Sequence, residues 1–474
     1  MRRFIRWALW ILLALLVIVV GAWWLSRMLG PTAEQKTALA MLGKESAVRG
    51  SNAFPALWSL PYDVPEDMQQ AVAAEDAKRF GALPASPSGE FLSAQASTSV
   101  AAARYADLTP SEADWSKFCK SRTAGCLESV RADRGGYAAL LARNARLVER
   151  SIALRQYGHY RNGLPLRNDG PMPPFHYAIA PLTRHALDFA DGRQDAALAG
   201  VCQDAAAWRR IGSHGDSLIA RMIGIAYATD GYGRLFADML AELPAGHRLP
   251  PVCISAFAVP VLEEGLICEA MKGESKFVAE GMRALYDASS PVGDPIGDFL
   301  FPVLFDEEMT LARMAPSQAH ACSDEVRHSV QADTPIKPLP ATPLNRGFDC
   351  VGNYVGCLLA HVGTEGGPYD RYALRGQDYV ARLRLIATLL WLREQEGDGT
   401  SIEQRLRERP RALVAPGHPV EVADGGRSLR IRHFDDSNDA YWQVPIAAAD
   451  VRRPDAAAGD QAGSSVGFSR LRRT

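Results

Sequence analysis

WALWILLALLVIVVGAWWLS, residues 7–26, decides the architecture of this chain, because it continues for twenty residues without a charged side chain. An α-helix rises about 1.5 Å per residue, so such a run is long enough to cross a hydrocarbon core about 30 Å thick. Trp7, Trp10, Trp23 and Trp24 lie near its two ends, where indole rings favour the membrane interface. The stretch therefore predicts a transmembrane helix with aromatic anchors at both ends.

The charges on the two sides of this stretch are uneven. Three arginines precede it within the first six residues, whereas Arg27 stands alone on the far side until Lys36. Lysine and arginine are enriched on the cytoplasmic side of membrane spans. We therefore expect residues 1–29 to form a cytoplasmic stub and an anchor in a bacterial inner membrane, with the bulk of the chain in the periplasm. No later run reaches 18 apolar residues, which predicts a single span.

A cleaved signal peptide is the alternative interpretation of the same stretch. The apolar region of a signal peptide is about 7–15 residues long and is followed by small residues at the cleavage site. Here the apolar run is longer and ends in Trp23, Trp24 and Leu25, without an Ala-x-Ala sequence. A lipoprotein signal is also missing, since the first cysteine is Cys119. These features favour an uncleaved anchor.

The chain has eight cysteines, an even number that fits disulfide formation in an oxidising compartment. Two pairs share a spacing of seven positions: Cys119 with Cys126, and Cys350 with Cys357. We expect each pair to close a local disulfide loop. The pairing of the others stays open, and any of them can instead be a buried thiol: Cys202, Cys253, Cys268 and Cys322. Because no Cys-x-x-Cys occurs, the sequence does not indicate a zinc-ribbon or thioredoxin-like site.

The periodicity of apolar residues predicts a mainly α-helical chain after the anchor. Thr32 and Gln35 have the spacing of a capping box at the start of a helix over 33–48. Further helices are expected at 66–80, 137–157, 175–189, 194–211, 216–243 with an interruption at Gly231-Tyr232-Gly233, 251–271 with a kink at Pro260, 307–314 and 371–396. Residues 50–65 and 333–343 are proline-rich and expected to be extended, and 81–90 to be a loop. No fixed repeat period occurs, which favours an irregular helical array over 30–410.

The pattern changes after Pro410. Three short segments, 419–423, 428–433 and 440–444, predict strands, with turns at 424–426 and 435–438. We expect a small antiparallel β meander over 411–450, docked on the helices because three strands alone are marginally stable. Residues 451–474 lose apolar content and are expected to be disordered.

The composition and motifs exclude several function classes. A net charge of −2 argues against a nucleic-acid partner, which normally requires a basic face. Walker A and dinucleotide-binding sequences are missing, so no nucleotide and no cofactor is expected. Gly-x-Ser-x-Gly and His-Glu-x-x-His are missing as well, which counts against the common hydrolases but not against an enzyme with dispersed residues.

The remaining candidates for chemistry are two groups of side chains. His159, His176, His185 and His214 fall in consecutive helical segments, but no pair has the spacing of two ligands on one helix face. Glu263, Glu264 and Glu269 offer carboxylates, yet adjacent glutamates on a helix point in different directions. We expect 212–216 to be a turn between helices, with Asp216 or Ser217 capping the second one. No catalytic residue or metal ligand is therefore assigned.

Location and fold class favour a binding function. We expect a membrane-anchored periplasmic helical protein that binds a protein partner, either an envelope assembly or a toxic effector neutralised by an immunity-type protein. The alternative is a membrane-tethered cell-wall hydrolase or lyase that uses dispersed Glu, Asp or His. A deep pocket with converging acidic or histidine side chains would favour the enzyme, and an exposed apolar patch or groove the binding protein.

Overall fold

The computed structural model describes residues 2–84, 92–122, 125–167, 169–244, 246–287, 295–344, 347–395, 400–437 and 439–446. The described chain is mainly helical and ends in a small antiparallel three-stranded sheet, which confirms the predicted helical array and C-terminal meander. The predicted tail at 451–474 and most of the predicted loop at 81–90 lie outside the described residues.

The α-helices of the first half differ widely in length and are joined by both short and long connections. They are α1 Arg2–Arg27, α2 Ala33–Gly43, α3 Phe54–Trp58, α4 Glu66–Gly81, α5 Ala94–Ser97, α6 Glu112–Lys117, α7 Cys126–Ala132, α8 Arg134–Arg143, α9 Ala145–Ala153, α10 Pro181–Ala190 and α11 Gln194–Ser213.

The second half continues in the same manner up to the sheet. Its helices are α12 Leu218–Ile225, a π-helical segment Ala226–Gly233, α13 Arg234–Glu242, α14 Pro251–Ala256, α15 Cys268–Asp287, α16 Pro295–Leu304, α17 Glu307–Ala319, α18 Asp324–Ala332, α19 Tyr354–Thr364, α20 Asp370–Glu394 and α21 Ile402–Glu408.

Helix α1 projects from the folded body. Among the described residues it contains the one segment, Arg3–Arg27, that is long and apolar enough to cross a membrane. The next helix begins where the capping box predicts, since Thr32 accepts a hydrogen bond from the Gln35 backbone and the Gln35 side chain accepts one from the Thr32 backbone. It ends at Gly43, earlier than the predicted boundary at residue 48.

Helix α20 contributes buried residues to the main core. Leu383 and Ile386 are fully buried, and the helix matches the predicted range 371–396 closely. The buried residues of α20 belong to one continuous hydrophobic cluster together with those of α3, α4, α10 to α14 and the sheet. Two of its arginines, Arg375 and Arg382, are paired with carboxylates of neighbouring elements.

Several predicted helices are interrupted. The expected helix over 137–157 breaks at Asn144, whose side-chain amide donates to the Leu140 carbonyl and competes with the helical pattern. The expected helix over 251–271 was wrong, because α14 ends at Ala256 and α15 begins only at Cys268. Pro260, between them, cannot donate a backbone hydrogen bond, so it ends the helix where only a kink was expected.

The segment 50–65 also differs from its prediction. Residues Phe54–Trp58 form a short helix, since Pro55 at the start of a helix is pre-organised for the helical φ. Phe54, Leu57, Trp58 and Leu60 are buried, so this segment packs onto the folded body. Before it, strand β1 Ser51–Asn52 pairs in parallel with β2 Tyr157–His159, an arrangement that the sequence did not predict.

The C-terminal sheet agrees with the sequence. Its strands are β3 Glu421–Ala423, β4 Ser428–Arg432 and β5 Tyr441–Pro445, in the order β3-β4-β5 and antiparallel. Leu429, Ile431, Trp442 and Val444 are buried in the main core, so the sheet is docked on the helices as expected.

All eight cysteines lie in pairs at disulfide-bonding distance. The two local pairs are those predicted, Cys119 with Cys126 and Cys350 with Cys357. The pairings left open are Cys202 with Cys253, between α11 and α14, and Cys268 with Cys322, between α15 and the turn that precedes α18. These cross-links fit an oxidising compartment.

Candidate functional site

A cavity of about 130 Å³ lies where the π-helical segment, α20 and the C-terminal sheet meet. We call it the junction cleft. It is lined mainly by charged and aromatic side chains: Arg122, Asp230, Arg234, Arg375, Asp378, Arg382, His433, Asp435, Asp439, Tyr441 and Trp442. Segments of π-helix are frequent at functional sites.

Helix α20 supplies one wall of the junction cleft. Arg375, Asp378 and Arg382 are spaced by three and four positions, so they share one face of the helix. Arg382 Nη1 donates to both carboxylate oxygens of Asp230 at 3.0 and 3.1 Å. Arg375 Nε donates to Asp435 at 2.6 Å. The arginines of this wall are therefore paired across the cleft with carboxylates from the π-helical segment and from the loop after β4.

His433 is held as a neutral imidazole. Its Nδ1 lies 2.7 Å from the Asp439 carbonyl, which can only accept, so Nδ1 carries the hydrogen. Its Nε2 then accepts a hydrogen bond from Arg382 Nε at 3.1 Å. Burial and the neighbouring Arg382 lower the pKa of His433. Both ring nitrogens are engaged, so this histidine is not a free general base.

A buried charge cluster lies directly beneath the cleft. His418 donates from Nδ1 to Asp333 at 2.7 Å and from Nε2 to Asp378 at 3.0 Å. Burial alone would lower the pKa of His418, but the hydrogen bonds to the two carboxylates outweigh it and raise that pKa. The cluster is thus an imidazolium between two carboxylates.

Asp378 joins this cluster to the cleft. Its Oδ1 accepts the backbone N–H of Phe434 at 2.7 Å, and its Oδ2 accepts that of Asp435 at 3.1 Å. These bonds position the loop that carries His433 and Asp435 against α20. Both carboxylate oxygens of Asp378 accept hydrogen bonds from the protein, so this residue has a structural role.

Two arginines at the rim differ from those of the wall. Arg122 is exposed and lies on the loop closed by Cys119 and Cys126. Arg234, the first residue of α13, stacks over Trp442 with its guanidinium carbon 5.6 Å from the ring centroid. Among the described residues, no carboxylate lies within salt-bridge distance of either rim arginine.

Two glycines of the π-helical segment let neighbouring elements approach closely. A Cβ on Gly231 would lie 3.1 Å from Ile179 and 3.6 Å from Ser121, next to Arg122. A Cβ on Gly233 would lie 2.7 Å from Ile386 of α20. The predicted interruption at 231–233 is therefore a continuous π-helical turn that brings the loop of Arg122 and α20 to the same cleft.

The predicted histidine group does not converge. His185 bonds to Asp204 at 2.6 Å inside the core, and His176 packs against Trp115. His159 and His214 each contact a separate backbone carbonyl, that of Arg49 and that of Arg210. A turn separates α11 from α12 as expected, but Gly212 and Ser213 of the predicted range still belong to α11. Ser217, not Asp216, caps α12.

The predicted glutamates are also separate, and each faces a cation. Glu264 forms two hydrogen bonds with Arg209, at 2.9 and 2.7 Å, while Glu263 pairs with Arg327. Burial would raise the pKa of Glu269, but its hydrogen bonds from Lys272 and Ser46 prevail and lower it. Glutamates held in ion pairs of this kind are poor general acids.

One cluster of potential metal ligands remains among the described residues, formed by Asp349, Cys350 and Cys357. The two sulfur atoms are at disulfide distance, so neither is present as a thiolate that could bind a metal. Of the predicted anchor residues, Trp7, Trp10 and Trp24 are exposed, whereas Trp23 donates its indole N–H to the Val303 carbonyl.

No protein-family model, no curated protein and no solved structure matches this chain. Function is therefore inferred from its own geometry. The residues of the junction cleft were not predicted from the sequence, because Asp230, Arg382 and His433 are far apart in the chain. The one sequence signal for them is the Arg-x-x-Asp-x-x-x-Arg spacing on α20.

Proposed function

We propose that the protein is anchored by α1 in a bacterial inner membrane and holds its helical domain in the periplasm, where it binds a protein partner. The arginines at the N-terminal end of α1 support this orientation by the positive-inside rule. The four cysteine pairs support an oxidising compartment. A partner of the envelope-assembly or immunity type is compatible with both features.

The junction cleft is the contact site that this proposal favours. One observation carries it: among the described residues, Arg122 and Arg234 have no carboxylate within salt-bridge distance, although they lie at the rim of a cleft in which Arg375 and Arg382 are each paired with one. Arginine and exposed aromatic residues such as Tyr441 are typical of protein interfaces. We infer that the partner presents an acidic segment, whose carboxylates pair with the two rim arginines.

The same geometry makes catalysis the weaker proposal. The carboxylates of Asp230 and Asp435 are paired with arginines, and both nitrogens of His433 are engaged. A wall hydrolase requires one carboxyl group that can donate a proton and a second that attacks or activates water. The junction cleft, with a volume of about 130 Å³, is also smaller than ordinary small-molecule pockets of roughly 300–1,000 Å³.

Site-specific photo-crosslinking in cells tests the contact. A photoreactive phenylalanine analogue replaces Tyr441 at the cleft and, as a control, the exposed Met172. We expect one protein to crosslink at position 441 and not at 172, and Arg122→Glu to abolish that product. The matched control Arg248→Glu, also at an exposed arginine, should leave it unchanged.

Two results would contradict this proposal. One is crosslinking to background proteins alone at position 441, combined with altered muropeptides in a deletion strain, which would favour the wall enzyme. The other concerns orientation: protease added to intact spheroplasts should digest the helical domain, and complete protection would place that domain in the cytoplasm.

A further inference from the structure

The C-terminal end of α1 is fixed to the folded body by several hydrogen bonds. Trp23 Nε1 donates to the Val303 carbonyl at 2.7 Å. Arg27 donates to the Phe305 carbonyl at 2.8 Å and to Asp306 at 3.3 Å. Arg27 thus satisfies carbonyls at the C-terminal end of α16, where a cation is favourable. The last turn of α1 and the end of α16 therefore form one rigid contact.

A second contact joins α1 to the segment before α19. The Ser26 hydroxyl donates to the Asp349 carbonyl at 3.0 Å and accepts the Gly352 N–H at 2.8 Å. A Cβ on Gly352 would lie 2.9 Å from the Arg27 side chain and 3.1 Å from the Trp23 carbonyl, so a larger residue would require the Trp23–Arg27 turn to shift. The elements on both sides of Gly352 are held at the level of the Trp23–Arg27 turn.

Large apolar side chains are exposed on these same elements. They come from α16, from the turn at 348–351 and from α19, and we call them the juxtamembrane face: Phe299, Phe348, Val351, Tyr354, Leu358 and Val362. Phe299 is 71% exposed and Val362 61%. A contiguous exposed apolar surface marks an interaction site.

The juxtamembrane face has the features of an interfacial segment. Tyr354, Leu358 and Val362 recur every four residues, so they form one stripe along α19. Residues 350–364 contain no Asp, Glu, Lys or Arg. The pair Cys350 and Cys357 fixes the 348–351 turn to α19, so the stripe and the turn present one rigid surface.

We propose that the juxtamembrane face is immersed in the bilayer, at the boundary of head groups and acyl chains in the leaflet that surrounds the Trp23–Arg27 end of α1. This inference rests on the proposed membrane anchorage. Continuity with the anchor identifies lipid as the occupant, because Trp24 and Met28 of α1 are exposed beside the contacts that hold the face. The domain is thereby held against the membrane at two points.

Photolabelling in vesicles tests the immersion. The full-length protein is reconstituted in phosphatidylethanolamine and phosphatidylglycerol vesicles that contain a phosphatidylcholine with a diazirine near the carboxyl end of one acyl chain. After irradiation, labelled peptides are mapped by mass spectrometry. We expect labels within 4–25 and within 348–362, and several-fold fewer in the peptide with Ile254 and Val261, which are exposed apolar residues elsewhere on the body.

A charged variant and its control test whether the labelling depends on the apolar side chains of the juxtamembrane face. Leu358→Asp with Val362→Asp should remove the labels from 348–362 and leave those of α1, whereas Ile254→Asp with Val261→Asp should change neither. Thermal unfolding of both variants checks that the fold is kept. Labels on α1 without any on 348–362 would overturn this inference but leave the membrane anchorage intact. A dimer that buries the juxtamembrane face would also overturn it. An unlabelled α1 would overturn the anchorage itself.

Discussion

Nε2 of His418 lies 3.0 Å from Oδ1 of Asp378, and the histidine side chain has no exposed surface. The other ring nitrogen, Nδ1, donates a hydrogen bond to Asp333 at 2.7 Å. Asp333 also accepts hydrogen bonds from the backbone N–H groups of Gly417 and His418. Full hydrogen bonding of this kind compensates the cost of removing charges from water. The cluster joins the end of α18, the middle of α20 and the segment that enters the sheet.

Replacing this histidine should lower stability in a pH-dependent way. His418→Leu leaves two carboxylates buried without their cation, and such a loss costs about 3–5 kcal/mol. Because the pKa of His418 is raised in the folded state, its contribution is complete below the ordinary value of about 6.5 and is lost as pH rises through the folded value. The difference in free energy of unfolding from the unmodified protein should therefore be largest near about pH 5.5.

Urea unfolding in detergent micelles at several pH values measures this difference. His247→Gln is the control, since His247 bonds to Asp195, whose side chain is mostly exposed. We expect a change below about 1 kcal/mol there, as for other surface pairs. An equal loss at all pH values in His418→Leu would show that the imidazole is neutral in the folded protein.

Replacing Asp238 should raise the stability of the protein, whereas replacing His418 should lower it. Burial raises its pKa to about 6, Arg234 one turn earlier on α13 partly offsets this, and Glu242 adds to it. The ionised form is thus disfavoured in the folded state, so stability falls as pH rises from about 4 to about 6. Asp238→Asn should stabilise the protein at neutral pH by about 1–2 kcal/mol and have little effect at about pH 4. A loss of stability at neutral pH would mean that the carboxylate is ionised and paired.

The cysteine pairs should differ in their effect on stability. In the chain-entropy model a bridge between residues 7 apart contributes about 2.5 kcal/mol, and one between residues 51 apart about 4 kcal/mol. Replacing Cys202 and Cys253 by alanine should therefore lower the free energy of unfolding more than replacing Cys119 and Cys126. Denaturation of the oxidised variants checks the order. The reverse order would show that packing of the loop around Arg122 outweighs the entropic term.

Local patterns predicted the elements whose signals are strong. The apolar period of α20 and the alternation in 419–444 predicted those elements nearly at their observed bounds, and the Thr32 capping box predicted the start of α2. The predicted helix boundaries were wrong where a single residue decides between two local conformations. Asn144 ends α8 with its own side chain, and Pro260 ends a helix that the apolar period alone would continue.

The junction cleft could not be predicted in this way. Arg382 and Asp230 are 152 positions apart, and nothing in either local sequence indicates the other. In the structure, Arg375 and Arg382 of α20 are paired with carboxylates from the loop after β4 and from the π-helical segment. β1 and β2 were missed for the same reason, since each is only two or three residues long and pairs across more than a hundred positions.

Helices α11 and α12 cross with their backbones in close contact at Gly212 and Gly224. A Cβ on Gly224 would lie 2.6 Å from the Gly212 Cα and 3.2 Å from the Trp208 carbonyl, and these are backbone atoms that cannot yield as a side chain would. Gly224→Ala should therefore separate the two helices and cost about 1–3 kcal/mol, more than the roughly 1 kcal/mol gained in helix propensity.

Gly135→Ala in α8 is the matched control, because nothing lies within 4 Å of the added Cβ. It should raise the urea midpoint slightly through helix propensity alone. Equal midpoints for the two variants would show that α11 and α12 are not in backbone contact in solution. A lower midpoint in Gly224→Ala alone would establish the contact. The helix that continues into the π-helical segment is then positioned by this crossing, and with it Asp230 of the junction cleft.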